Sequence, residues 1–271
     1  MESDNNAAPI GVFDSGIGGL SVLRRLLHAL PHERFVYFAD SAHAPYGERG
    51  DAYVTARSRA VCAQLRREYA IKTLVIACNT ATAAAIEPLR AEHADLPIVG
   101  IEPALKPAAA ASATGCVGVL ATRATLGSEK FAQLLAGQRG RARFFLHACD
   151  GLADAIEHAQ DVDDEHVRRL LEMHLNALRD VCALGHAAGQ IDTLVLGCTH
   201  YPLVTAMWQA AIGDAATLLD PAHAVARRTA AVLAQTKRLN PRALPAADRV
   251  TWSGSGAEHA RRAAVIYEQN D

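Results

Sequence analysis

The chain has 271 residues and a formal net charge of −2, with half of its residues hydrophobic and 21% charged. That length can bury one or two cores, and the interspersed charges argue against a basic nucleic-acid face or a polybasic membrane anchor. Its apolar runs fall far short of the ~20 residues that span a bilayer, and the start MESDNNAAP has neither the basic nor the apolar region of a secretory signal.

Six cysteines (62, 78, 116, 149, 182 and 198) without a CxxC pair read as reduced thiols of a cytoplasmic protein. In chain order, short β-prone runs alternate with helical patterns. PIGVF (9–13) leads through DSGIGG (14–19) into a helix carrying Leu20, Leu23, Leu26, Leu27 and Leu30 on one face. RFVYFA (34–39) runs into Asp40-Ser41, and the turn signal PYGER follows at 45–49. TLVIA (73–77) ends at Cys78-Asn79-Thr80, and PIVGI (97–101) at a Glu-Pro pair. CVGVLA (116–121) precedes Thr122, and ARFFL (142–146) comes next. A helix is expected over 164–184, capped by Asp164 and ended by Gly185. TLVLG (193–197) then enters Cys198-Thr199-His200, and ATLLD (216–220) closes the series. The tail beyond 240 carries no usable motif. Nearly continuous apolar runs suit parallel strands buried on both faces, and the alternation with helices predicts an α/β fold with mostly parallel sheets.

The pattern is written twice. GVFDS at 11 is echoed by GVLAT at 118, RFVYFA by ARFFLH, TLVIACNT by TLVLGCTH, and GIEPA by LLDPA. Four matches in the same order predict two related, pseudo-symmetric α/β halves with four strands each, and if the halves face each other both cysteines look into one cleft between them. In open α/β sheets ligands sit beyond the carboxyl ends of the strands, and the polar clusters fall there. Each of Cys78 and Cys198 would then lie near a helix N-terminus, where the dipole and free N–H groups favour a thiolate. Two thiols facing one small pocket suit one reaction especially well. One removes a proton from carbon on one face while the other returns a proton on the opposite face, inverting a stereocentre without a cofactor.

The remaining signals are plainer. Cys62, Cys116, Cys149 and Cys182 sit in no polar cluster and read as core. DSGIGG matches neither GxGxxG nor the P-loop, so it reads as a tight turn presenting Asp14 and Ser15 rather than a phosphate cradle. His200 has no second ligand pair nearby in sequence, so no metal is expected, and the other eleven histidines read as surface or core. None of the four lysines sits in a context for a pyridoxal phosphate Schiff base.

FDSGIGGLSVL, YFADSAHAPYGER, VIACNTATA, GIEPA and LVLGCTHYPL, in this order, resemble the glutamate racemase family from about residue 10 to about residue 235. The resemblance implies cofactor-independent interconversion of L- and D-glutamate, supplying D-glutamate for bacterial peptidoglycan. It implies that the last segment returns to the first domain, giving 1–102 plus 220–271 against 103–219. It also implies that Cys78 takes the α-proton from D-glutamate and Cys198 from L-glutamate, with Asp14 assisting at Cys78 and His200 at Cys198. Ser15, Tyr46, Gly47, Asn79, Thr80 and Thr199, with Asp14 and His200, would bind the substrate. Glu157 falls where the family often carries a glutamate near the second cysteine, although ACDGLADAIE lacks the proline that commonly follows Cys149 in the family. Dimers are common in the family, while the residues themselves leave the oligomeric state open. Three other readings stay open on the residues alone: a cysteine hydrolase with Cys198 as nucleophile and His200 as base, a binding protein that has lost the chemistry, and a racemase for aspartate.

Overall fold

The structure is a computed structural model describing residues 5–161, 163–241 and 249–268. The strands of the first sheet are β1 (Ile10–Asp14), β2 (Phe35–Ala39), β3 (Thr73–Ile76) and β4 (Ile98–Gly100). Those of the second are β5 (Cys116–Ala121), β6 (Arg143–Ala148), β7 (Thr193–Leu196) and β8 (Thr217–Leu219). A further strand, β9 (Val250–Ser253), joins the first sheet beside β2. Every pairing is parallel. The sheet orders are β4-β3-β1-β2-β9 and β6-β5-β7-β8. Read from the other edge, the second sheet is β8-β7-β5-β6, the same order as β4-β3-β1-β2. Each strand thus has the counterpart that the repeated sequence indicates.

Helices follow the strands: α1 (Leu20–Ala29), α2 (Asp51–Tyr69), α3 (Asn79–Glu92), α4 (Leu105–Ala111), α5 (Arg123–Gly127) and α6 (Glu129–Ala136). The rest are α7 (Leu152–His158), α8 (Glu165–Val181), α9 (Thr205–Ile212), α10 (Ala222–Gln235) and α11 (Ala257–Glu268). Among the described residues no helix is long and apolar enough to cross a membrane. α1 buries Leu20, Val22, Leu23 and Leu26 and packs along α10.

Three local expectations change. β1, β2, β3 and β7 are buried throughout, but β6 and β8 are edge strands with part of their side chains exposed, so not every apolar run is covered on both faces. α8 begins where Asp164 caps it, the carboxylate accepting the N–H groups of His166 and Val167 at 2.9 and 3.1 Å. It ends at Val181, because Cys182 is already extended, and Gly185 instead turns the chain so that its N–H meets the carbonyl of Ile191. Finally, the tail beyond 240 supplies β9 and α11, with Trp252 packing edge-on against Tyr37 at 5.6 Å between ring centroids.

Candidate active site

The carboxyl ends of the central strands deliver the polar clusters to one place. A cleft of about 570 Å³ is lined by Ser15, Tyr46, Gly47, Cys78 and Thr80 from one side and by Thr122, Cys149, Glu157 and His200 from the other. Asp14, Asn79, Cys198 and Thr199 are buried beside this wall rather than on it.

Cys78 occupies the N-cap of α3, and its sulfur accepts the N–H of Ala81 at 3.4 Å. Ser15 Oγ lies 3.8 Å from the same sulfur. The helix terminus therefore sits where the sequence places it, yet it does not produce a thiolate. Burial, followed by the charge of Asp14, pushes the Cys78 thiol up to about 12, and the Ala81 N–H recovers only part of that. Cys198 adds to the rise, which places the two sulfurs within electrostatic reach of each other. Asp14 is raised by burial to about 6, even though it accepts the N–H of Gly16 at 2.8 Å and the hydroxyl of Thr199 at 3.1 Å.

Cys198 is built differently from its counterpart. No α-helix starts after it; the chain makes a 3-10 turn over Tyr201–Val204 first, and α9 begins only at Thr205. Pro202 in that turn has no N–H to contribute. The cation beside Cys198 is instead His200, whose Nδ1 is 3.8 Å from the sulfur. Its Nε2 donates to Glu157 Oε2 at 2.8 Å. Burial alone would push the imidazole down, but the Cys198 sulfur and the Glu157 carboxylate hold it well above its ordinary value. Burial would likewise raise Glu157, but His200, the Ile17 N–H and the Ser41 hydroxyl together bring it down to about 2. His200 and Glu157 thus form a buried imidazolium–carboxylate pair beside the Cys198 sulfur.

The glycines of DSGIGG have a specific task here. A Cβ at Gly16 would collide with the Glu157 carboxylate, and one at Gly18 with the His200 ring and the Thr199 hydroxyl. The loop after β1 is glycine-rich so that its backbone can lie directly against side chains arriving from the second sheet.

Hydroxyls complete the cleft. Thr80 Oγ1 is 3.1 Å from Thr122 Oγ1, which is 2.9 Å from Thr125 Oγ1, so a threonine cluster spans the two sheets' loops. Gly47 packs against Thr122 across the same gap. The Tyr46 hydroxyl is committed to Asp40 at 2.6 Å, and Asp40 is also held by two bonds from Arg57, so Tyr46 offers the cleft its ring and backbone. Asn79 faces a smaller neighbouring cavity with Thr82 and Thr125, and both polar atoms of its amide are buried without a partner among the described residues.

Sequence reasoning missed some of this. Cys149, read as core, is indeed buried, with its thiol pushed up by burial, but it also lines the cleft. Asp40 and Ser41 were visible only as a strand-end pair, and their roles as anchors of Tyr46 and Glu157 depend on tertiary contacts. His259 of α11 donates to the Glu157 carbonyl at 2.6 Å, a contact no spacing in the tail announces.

Comparisons with known proteins bear on the family and the fold. The family model described as Asp/Glu/Hydantoin racemase matches residues 10–229. A glutamate racemase of Cupriavidus pinatubonensis is 49% identical over 230 residues, covering 85% of this chain and 80% of that protein. One from Stutzerimonas stutzeri is 43% identical over 264 residues, covering 97% and 96%. The crystal structure of Escherichia coli glutamate racemase, solved with L-glutamate and the activator UDP-MurNAc-Ala, superposes with a TM-score of 0.75 at 32% identity, covering 96% and 95% of the two chains. The paired strand orders, the cysteine at the end of each third strand and these matches lead to one conclusion: the chain belongs to the Asp/Glu/hydantoin racemase family.

Proposed function

We propose that the cleft interconverts L- and D-glutamate without a cofactor, by proton transfer between the substrate α-carbon and the two sulfurs of Cys78 and Cys198. The chain is a glutamate racemase, and its product D-glutamate serves peptidoglycan synthesis. The observation that carries the mechanism is the unequal setting of the two thiols. Burial and Asp14 keep Cys78 protonated, while the His200 imidazolium stands beside Cys198. A two-base racemase needs its two groups in opposite protonation states at the start of each turnover. For L-glutamate the base is the sulfur beside His200. Cys198 removes the α-proton, Cys78 delivers one to the opposite face, and D-glutamate leaves.

The reverse reaction starts with the protons exchanged. Asp14, raised to about 6, then accompanies Cys78 as it becomes the base. A thiolate is a weak base for a proton α to a carboxylate, so the charge that develops on the substrate must be stabilised by donors placed in advance. Ser15 and Thr80 supply hydroxyls and Gly47 and Tyr46 supply backbone on the cleft wall, while Asn79 and Thr199 support it from buried positions directly behind. Glu157 holds His200 in place and keeps it charged.

We divide the chain into 1–102 with 220–271 and 103–219; the pairing of β9 with β2 and the packing of α10 on α1 support that division. A cytoplasmic location agrees with six free cysteines, and a homodimer with the family pattern. Purified chain incubated with either enantiomer, without cofactor, tests the activity by the decay of its circular dichroism. Racemisation of L- and D-glutamate but not of aspartate is expected. An inert glutamate signal with a folded protein would refute it.

A further inference from the structure

His147, Cys149 and His174 meet on the flank of the cleft, outside the proton-transfer machinery. His147 lies near the end of β6, Cys149 just beyond it, and His174 on the buried side of α8. The packing of α8 on β6 brings them together, with one ligand atom from each lying within 4.8 Å of the others. His147 Nε2 is 3.0 Å from His174 Nδ1, and His174 Nε2 is 3.0 Å from the carbonyl oxygen of Asp150.

A carbonyl can only accept, so Nε2 of His174 carries the proton and Nδ1 turns its lone pair toward His147. Metal-binding imidazoles are oriented in the same way, by an outer carbonyl that takes the second ring N–H. Two imidazoles and a thiol are also the donor set that borderline-soft divalent ions prefer over oxygen-seeking magnesium or calcium.

We propose that His147, Cys149 and His174 form a binding site for a zinc-type divalent cation, with water in the fourth tetrahedral position. Metal–ligand bonds of ~2.0–2.3 Å place tetrahedral ligand atoms roughly 3.3–3.8 Å apart, so the two imidazoles open by a few tenths of an ångström and the wider separations draw in by up to about an ångström. His147 moves its ring proton from Nε2 to Nδ1, and the Cys149 thiol releases its proton to solvent. Two nitrogen lone pairs and a thiolate then face the ion. Cys149 also lines the substrate cleft, so the cation sits between the cleft wall and the β6–α8 interface.

Cobalt(II) added to the reduced, full-length protein tests the site directly. One equivalent is expected to bind, giving the intense visible bands of tetrahedral cobalt and a near-ultraviolet thiolate charge-transfer band. Cys149→Ser should abolish the charge-transfer band. His147→Gln and His174→Gln should each weaken binding by at least the ~10- to 100-fold that loss of even an outer partner costs. His147 is only half-buried, so its variant keeps the test valid if His174→Gln fails to fold. Cys78→Ser and Cys198→Ser should leave the spectrum unchanged. The proposal is overturned if excess cobalt produces no tetrahedral spectrum, or if the bands survive Cys149→Ser and vanish in Cys78→Ser or Cys198→Ser.

Discussion

Asp14 and Glu157 are both buried carboxylates in contact with residues of the opposite sheet, yet their surroundings move them in opposite directions. Glu157, at about 2 against an ordinary 4.5, gives stability that is present above pH 4.5 and lost as the pH falls through 2. His200, held above its ordinary 6.5, gives stability that is complete below 6.5 and lost as the pH rises through its raised value. His200→Gln strands the Glu157 charge, so it should cost about 3–5 kcal/mol in urea unfolding at neutral pH. The loss should shrink as the pH drops and the carboxyl can protonate. Asp14 has the reverse sign. Raised from 3.8 to about 6, it contributes below pH 3.8 and loses that contribution as the pH rises through 6. Asp14→Asn should therefore stabilise the fold at pH 8, by up to roughly 3 kcal/mol, while slowing racemisation, a trade that unfolding curves and rates measured together would reveal. These opposed environments were not legible in the sequence. Asp14 and Glu157 could be placed near the cleft, but what separates them is which N–H groups and cations fold against each.

At the scale of elements, the glycine loop and the helix caps make separable predictions. Gly18→Ala places a methyl group against His200 and Thr199, and a displacement of about 1 Å there should lower kcat about 10²-fold without unfolding the protein. Asp164→Ala removes the cap of α8 far from the chemistry. It should cost about 0.5–2 kcal/mol of stability and leave the rate of racemisation unchanged. Both features lie in local sequence, and both were readable as a turn and a cap. What the sequence did not disclose is that the turn's glycines serve an approach from the other sheet. The helix ends were also less legible than the starts. Asp164 announces itself by its side chain, whereas Cys182 stops α8 simply by adopting an extended backbone.

Across the whole molecule, the duplication explains the fold, and the different segments that follow Cys78 and Cys198 explain the asymmetry of the site. Eight strands in two sheets of matching order follow from four repeated apolar segments, and these were legible because buried parallel strands leave continuous runs. β9 was not, since four residues after an unpatterned stretch carry little signal, and it is the tertiary pairing with β2 that makes them a strand. Cys78 and Cys198 occupy equivalent strand ends, but one is followed by a helix and the other by a 3-10 turn and an imidazolium–carboxylate pair. The His147–Cys149–His174 cluster was invisible for a related reason: strand and helix packing assembles it, not spacing. The two-sulfur mechanism predicts that each sulfur works on its own enantiomer. The most direct test is loss of the α-proton to D2O, followed by NMR, for each pure enantiomer with wild type, Cys78→Ser and Cys198→Ser. Wild type should exchange and racemise both; Cys198→Ser should still exchange D-glutamate but not L-glutamate, and Cys78→Ser the reverse, with racemisation lost in both variants. Equal exchange of both enantiomers in either variant would contradict the assignment of one sulfur to each face.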